Sequence, residues 1–185
     1  MQREIERILI TEQEIRDKVR QLGEQISKDY EGRELVVVGI LKGAIIFLSD
    51  LVRRITVPLT LDFVAVSSYG NSTRTSGAVR ILKDLERSVE GKNVLIVEDI
   101  VDTGLTLKYL RENLEARGPA EIKICAFLDK PERRQVEVKV DYSGFAIPDH
   151  FVVGYGLDYA ERFRELPQVA VLKPEVYQGR GEAGQ

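Results

Sequence analysis

Two runs in this chain, residues 35–40 (Leu-Val-Val-Val-Gly-Ile) and 94–97 (Val-Leu-Ile-Val), are wholly apolar and rich in β-branched side chains. Strands of that kind have both faces covered, as in a parallel sheet held between helices. Residues 5–10, 59–68, 78–83 and 122–128 also read as strands. Helical segments lie between them. Over 11–30, Ile15, Val19, Leu22 and Ile26 recur at helical spacing, and Thr11 with Glu14 forms a capping-box pattern. Residues 43–55 and 105–117 read as further helices. Strands alternating with helices predict βαβ units, hence an α/β fold with a Rossmann-like parallel sheet flanked by helices. After Pro131 the pattern changes to short alternating strands, at 137–140, 145–147 and 151–153. The polar stretch 69–77 is expected to lie outside the sheet, and the Gly-rich tail to be mobile.

Composition narrows the function classes. The 185 residues carry 27 Lys and Arg against 30 Asp and Glu, a net charge of −3. A nucleic-acid partner is not expected, because such domains normally show a basic footprint. The single cysteine, Cys125, lies in an apolar run, so an intramolecular disulfide is impossible and a buried, inert thiol is expected. The first residues are charged, and no apolar run approaches the length that crosses a bilayer. A cytoplasmic protein without a membrane partner is the expectation.

In sheets of this kind ligands bind beyond the carboxyl ends of the strands. The informative stretch there is 94–106, where an apolar strand ends in Glu98 and Asp99 and is followed by Ile100, Val101, Asp102, Thr103, Gly104, Leu105 and Thr106 at the start of a helix. Such a turn aims backbone N–H groups and a helix N-terminus at one point, which suits a phosphate. Acids beside it make sense when the phosphate belongs to a sugar whose hydroxyls need acceptors, with Mg²⁺ offsetting the charge. The bland reading is a set of cap and surface acids, and for an isolated Asp-Thr-Gly it would be preferred. A Walker A loop is absent, since no Gly-Lys-Ser/Thr follows a glycine at the required spacing.

The segment Val-Glu-Asp-Ile-Val-Asp-Thr-Gly-Leu-Thr closely resembles the phosphoribosyl-diphosphate signature of purine phosphoribosyltransferases. Leu41-Lys42-Gly43, Ser67-Ser68-Tyr69-Gly70, Asp129-Lys130 and the run from Phe151 to Tyr159 resemble, in order, further segments of the hypoxanthine-guanine phosphoribosyltransferase family. The resemblance implies a type I phosphoribosyltransferase fold. It places one domain over 1–177, with a core at about 30–130, a small hood from about 1–10 and 131–177, and a tail at 178–185. It implies transfer of phosphoribosyl from phosphoribosyl diphosphate to N9 of a 6-oxopurine, with Mg²⁺ as cofactor.

Residue by residue, the resemblance implies that Glu98 and Asp99 accept from the ribose hydroxyls and lie near a first magnesium. Asp102, Thr103, Gly104, Leu105 and Thr106 would hold the 5′-phosphate, and Asp102 would also take a proton at purine N7. Lys42 and Gly43, beside a cis peptide after Leu41, would meet pyrophosphate together with Arg164. Lys130 would donate to the 6-oxo group, Phe151 would stack on the base, and the backbone of Val152 would read its edge. Asp158 would hold a second magnesium beside the purine site, and Ser68 and Tyr69 would belong to a lid. Taken singly, Lys130 reads as an exposed lysine, Phe151 as a core aromatic, and Asp158 with Arg164 as a solvated pair. Leu105 departs from relatives that carry Lys there. His150 has no partner that suggests catalysis. A xanthine-preferring transferase and a non-catalytic purine-nucleotide sensor remain the alternatives. Apolar exposed faces of the early helices point to a homodimer or homotetramer.

Overall fold

The computed structural model describes residues 3–68 and 79–178. The expected loop at 69–77, with Tyr69, and all but the first residue of the expected tail therefore lie outside the described residues. In chain order the elements are β1 (Ile5–Ile10), α1 (Glu12–Asp29), β2 (Leu35–Leu41), α2 (Ile45–Val52), β3 (Leu59–Ser68), β4 (Val79–Lys83), β5 (Asn93–Val101), α3 (Leu105–Glu115), β6 (Glu121–Asp129), β7 (Tyr142–Ala146), β8 (Val152–Val153), β9 (Val169–Leu172) and α4 (Pro174–Gln178).

Six strands form one sheet in the order β4-β3-β2-β5-β6-β7, and β1, β9 and β8 form a second. In the larger sheet β4 alone runs antiparallel to its neighbour. Alternate residues of the central strands supply two cores, because successive side chains of a strand point to opposite faces. Val37, Leu95, Val97, Cys125 and Phe127 pack with Ile15, Val19, Leu22 and Ile26 of α1 and Phe47, Leu48 and Leu51 of α2. Val38, Val94, Ile96, Ile124 and Ala126 pack instead with Leu107, Leu110 and Leu114 of α3. The helix α1 starts as its sequence pattern predicts: Thr11 Oγ1 accepts from Glu14 N–H at 3.3 Å, and the Glu14 carboxylate accepts from Thr11 N–H at 2.8 Å. Cys125 is fully buried, and burial pushes its thiol up, away from reactivity.

The strand order positions the site. From β2 the chain passes through α2 to β3 on one side; from β5 it passes through α3 to β6 on the other. The order reverses between β2 and β5, where ligands settle in open sheets. The pairing of β2 with β5 ends at Gly39 opposite Val97. Beyond that point β2 continues along β3 to Leu41, and β5 continues along β6 to Val101. The two central strands therefore part, and the crevice between them opens at Glu98 and Asp99.

Two expectations are corrected. Residues 137–140 form no strand; the backbone N–H groups of Gln135 and Val136 donate to Thr103 O, at 2.9 and 3.3 Å, not to a neighbouring ladder. The alternation in the sequence is real, since Val138 and Val140 turn toward the α3 core, but the backbone lacks a partner strand there. Strand β5 does not end at the two acids but runs past them to Val101, because β6 keeps pairing with it beyond them. Strand β9, too short a run to stand out, is the buried centre of the smaller sheet.

Candidate active site

Gly104 has φ +84°, a left-handed conformation that glycine adopts without steric cost, and as the N-cap residue of α3 it has no side chain of its own to cap the helix. The first N–H groups of α3 thus face outward as donors for an anion, with only Thr103 Oγ1 accepting from Leu105 N–H at 3.3 Å. Space is tight at Gly104 as well. A methyl group there would come within 3.1 Å of Arg134 Cδ and 3.2 Å of Val138 Cγ2. A cavity of about 120 Å³ in front of this turn is lined by Glu98, Asp102, Thr103, Gly104 and Thr106. Leu105, beside it, is half-buried.

Glu98 and Asp99 meet different neighbours. Glu98 lines the cavity, whereas the Asp99 carboxylate lies against Gly43, after the cis peptide Leu41–Lys42. The two remain linked, since Asp99 N–H donates to Glu98 Oε1 at 3.0 Å. Burial, then the charge of neighbouring Asp99, pushes the Glu98 carboxyl well above its ordinary range. Burial also raises Asp99, against the hydrogen bonding with Glu98 and the pull of the Arg164 guanidinium.

On the Asp99 side, Gly156 carries φ +100°, and a methyl group on it would overlap the Gly43 carbonyl oxygen. Arg164 donates from Nη1 to Gly156 O at 2.7 Å and pairs through Nη2 with Asp158 at 3.0 Å. Its Nε is buried and has no acceptor among the described residues. Glu161, which the sequence reading passed over, lies 2.9 Å from Lys42 Nζ and 3.3 Å from Arg164 Nη2. One carboxylate thus touches both cations expected to meet pyrophosphate. Its hydrogen bond from Lys42, above all, holds the Glu161 carboxyl below its ordinary value. Nothing local in the sequence marks this residue, because Lys42 and Glu161 are 119 positions apart.

The remaining candidates gather across the phosphate turn. Lys130 is largely buried, and Nζ donates to Asp149 at 3.3 Å. Asp102 accepts from Arg133 Nε at 3.0 Å. Arg133 and Asp149 are again residues the sequence reading did not select. Phe151 stacks on Tyr177 at 4.7 Å and meets Tyr159 edge-on at 5.6 Å, while 38% of it stays exposed. Val152 is buried in β8, and His150 Nε2 lies 3.0 Å from Arg7 Nη2. Ser68 ends β3.

Mg²⁺ binds through one or two carboxylates, keeping several waters and phosphate oxygens in its octahedron. A buried and a half-buried acid side by side, both with their charge disfavoured, are a donor set that such an ion relieves, so Glu98 and Asp99 fit it. Asp158 fits a second ion only after release, since Oδ1 pairs with Arg164 and Oδ2 accepts from Glu161 N–H at 2.9 Å. Among the described residues no three His, Cys, Asp or Glu side chains converge as a metal cage. Among the described residues no helix is long and apolar enough to cross a membrane.

The phosphoribosyl transferase domain family matches residues 5–160. The chain is 52% identical over 178 residues to the hypoxanthine-guanine phosphoribosyltransferase of Bacillus subtilis, covering 96% of this chain and 99% of that protein. It is 51% identical to the bifunctional protein TilS/HprT of Listeria monocytogenes, of whose length it spans 27%. The crystal structure of a hypoxanthine phosphoribosyltransferase from Staphylococcus aureus superposes with a TM-score of 0.92 at 50% identity, covering 96% of each chain. Signature turn, strand order and sequence relatives agree: the chain belongs to the phosphoribosyltransferase family, in its hypoxanthine-guanine branch.

Proposed function

We propose that this protein transfers the 5-phosphoribosyl group of phosphoribosyl diphosphate to N9 of hypoxanthine or guanine, forming IMP or GMP and pyrophosphate in purine salvage. The observation that carries this reading is the divided acid pair at the parting of β2 and β5. Glu98 faces the cavity at the uncapped start of α3, and Asp99 faces Gly43 and Arg164. A phosphorylated sugar laid across the pair would have its 5′-phosphate on the Glu98 side and its diphosphate on the Asp99 side.

In this reading the backbone N–H groups from Asp102 to Thr106 and the hydroxyls of Thr103 and Thr106 grip the 5′-phosphate. Glu98 and Asp99 accept from the ribose diol. Lys42, Gly43 and Arg164 take up the pyrophosphate, Glu161 giving up both cations as it arrives. The buried Nε of Arg164, without an acceptor among the described residues, is one more donor for that anion. Lys130 meets the 6-oxo group, Phe151 stacks on the base, the Val152 backbone reads its edge, and Asp102 accepts a proton at N7. Mg²⁺, when bound at Glu98 and Asp99, would offset the charge of the leaving diphosphate. The reaction is a displacement at the anomeric carbon by N9. Cations fixed around the departing pyrophosphate are the largest stabilisation, and Asp102 as base contributes about 10²–10⁴-fold. Ser68, at the end of β3, and Tyr69 would belong to a lid that excludes water. The smaller sheet of β1, β9 and β8 serves as the hood. The reading includes a cytoplasmic homodimer or homotetramer, with Ile45 and Ile46, both 37% exposed on α2, as apolar surface for a partner copy.

Pyrophosphate release from phosphoribosyl diphosphate and Mg²⁺ with hypoxanthine, guanine, xanthine or adenine tests this. Release with hypoxanthine and guanine but not adenine is expected. Silence with every 6-oxopurine would refute the reading, and a preference for xanthine would reassign the base.

A further inference from the structure

The charged groups assigned to the two ends of the purine are joined through ion pairs. Arg133 Nε lies 3.0 Å from Asp102 Oδ1, and Arg133 Nη1 lies 3.7 Å from Asp149 Oδ2. The other oxygen of Asp149 lies 3.3 Å from Lys130 Nζ. Asp149 thus holds one cation with each carboxylate oxygen. The backbone holds the parts in register: Lys130 N–H donates to Val101 O at 2.9 Å, and Ile147 N–H donates to Asp129 O at 2.8 Å. Those two bonds pin the turn bearing Lys130 beside the phosphate turn, and the turn bearing Asp149 beside Lys130.

The four groups differ in how much they need a partner. The Lys130 side chain is only 11% exposed, whereas Asp149 is 47% and Arg133 48% exposed. A buried ammonium without a counter-charge is strongly disfavoured, while an exposed ion is solvated by water. Lys130 therefore depends on Asp149 more than Asp149 depends on Lys130. An ammonium has three donors, and Asp149 uses one. That single bond fixes the direction of a flexible four-carbon stem and leaves two donors aimed elsewhere.

We propose that Asp149 is a positioning residue for purine recognition: it holds the Lys130 ammonium where the 6-oxo group docks and, through Arg133, ties it to the Asp102 carboxylate. The inference rests on the assignment of Lys130 to the 6-oxo group. Asp149 touches neither sugar nor diphosphate in this reading, and Arg133 keeps its own shorter 3.0 Å bond to Asp102 when Asp149 is lost, so the loss falls first on the purine.

Steady-state kinetics of Asp149→Asn, Asp149→Glu, Lys130→Ala and the double variant Lys130→Ala/Asp149→Asn, with purine and phosphoribosyl diphosphate each varied, test it. Asp149→Asn is expected to raise the purine KM about tenfold, with kcat and the phosphoribosyl-diphosphate KM within about twofold of wild type. Asp149→Glu should recover most of the loss. On the Lys130→Ala background Asp149→Asn should add nothing, because the two residues act as one unit. If Lys130→Ala raises the purine KM but Asp149→Asn does not, Asp149 loses this role while the purine site stands. Additive effects, or a parallel rise in the phosphoribosyl-diphosphate KM, also overturn it. An inert Lys130→Ala overturns the purine assignment and the inference together.

Discussion

The carboxylate of Asp99 occupies the space where Gly43 would carry a side chain, so that a methyl group placed on Gly43 would overlap Oδ2. Gly156 repeats the relationship against the Gly43 carbonyl oxygen. The loop after β2, the acid in β5 and the turn before Arg164 are thus stacked with no room for a methyl group between them.

Gly43→Ala forces either the loop or Asp99 to move. A displacement of about 1 Å at a reacting centre can cost about 10²-fold. A fall of that order in kcat/KM is expected, with an unchanged far-ultraviolet circular dichroism spectrum. An alanine variant with wild-type kcat/KM would show that the site tolerates the shift.

Glu98 predicts a pH dependence of stability. Its carboxyl is raised in the folded protein, so between the ordinary value of 4.5 and the higher folded value the folded state holds the proton that the unfolded state has lost. Stability therefore falls as pH rises through that window. Glu98→Gln removes the effect. In metal-free protein the variant should melt above wild type at neutral pH, and the two midpoints should converge as pH drops toward 4.5. A gap that stays constant with pH would count against a raised Glu98.

Asp102→Asn keeps the shape of the phosphate turn and removes the proton acceptor. Turnover should drop by about 10²–10⁴-fold. Calorimetric binding of phosphoribosyl diphosphate should stay within about threefold, since backbone donors hold the phosphate. Unchanged turnover would take the base role from Asp102.

Phe127 is fully buried in β6, with ring centroids of Phe47, Phe145 and Tyr155 at 5.1, 5.8 and 4.9 Å. Phe127→Ala opens a cavity beneath the strand that leads to Lys130 and should cost about 3–5 kcal/mol in urea unfolding. A loss under about 1 kcal/mol would mean that the three rings close the gap.

What could be read along the chain was whatever a few neighbouring residues decide. The apolar runs declared β2 and β5, the recurrence of Ile15, Val19, Leu22 and Ile26 declared α1, and Thr11 with Glu14 declared its start, because periodicity and capping act over one or two turns. The motif from Glu98 to Thr106 was legible for the same reason. Residues 137–140 misled, since alternation reports which side chains turn inward and not whether a partner strand lies alongside. Tertiary structure alone decided that Asp99 turns to Gly43 while Glu98 turns to the cavity, that Glu161 comes between Lys42 and Arg164, and that Asp149 meets Lys130. Those partners belong to different loops, brought to one edge of the sheet by the order of its strands, and their meeting depends on where each strand ends.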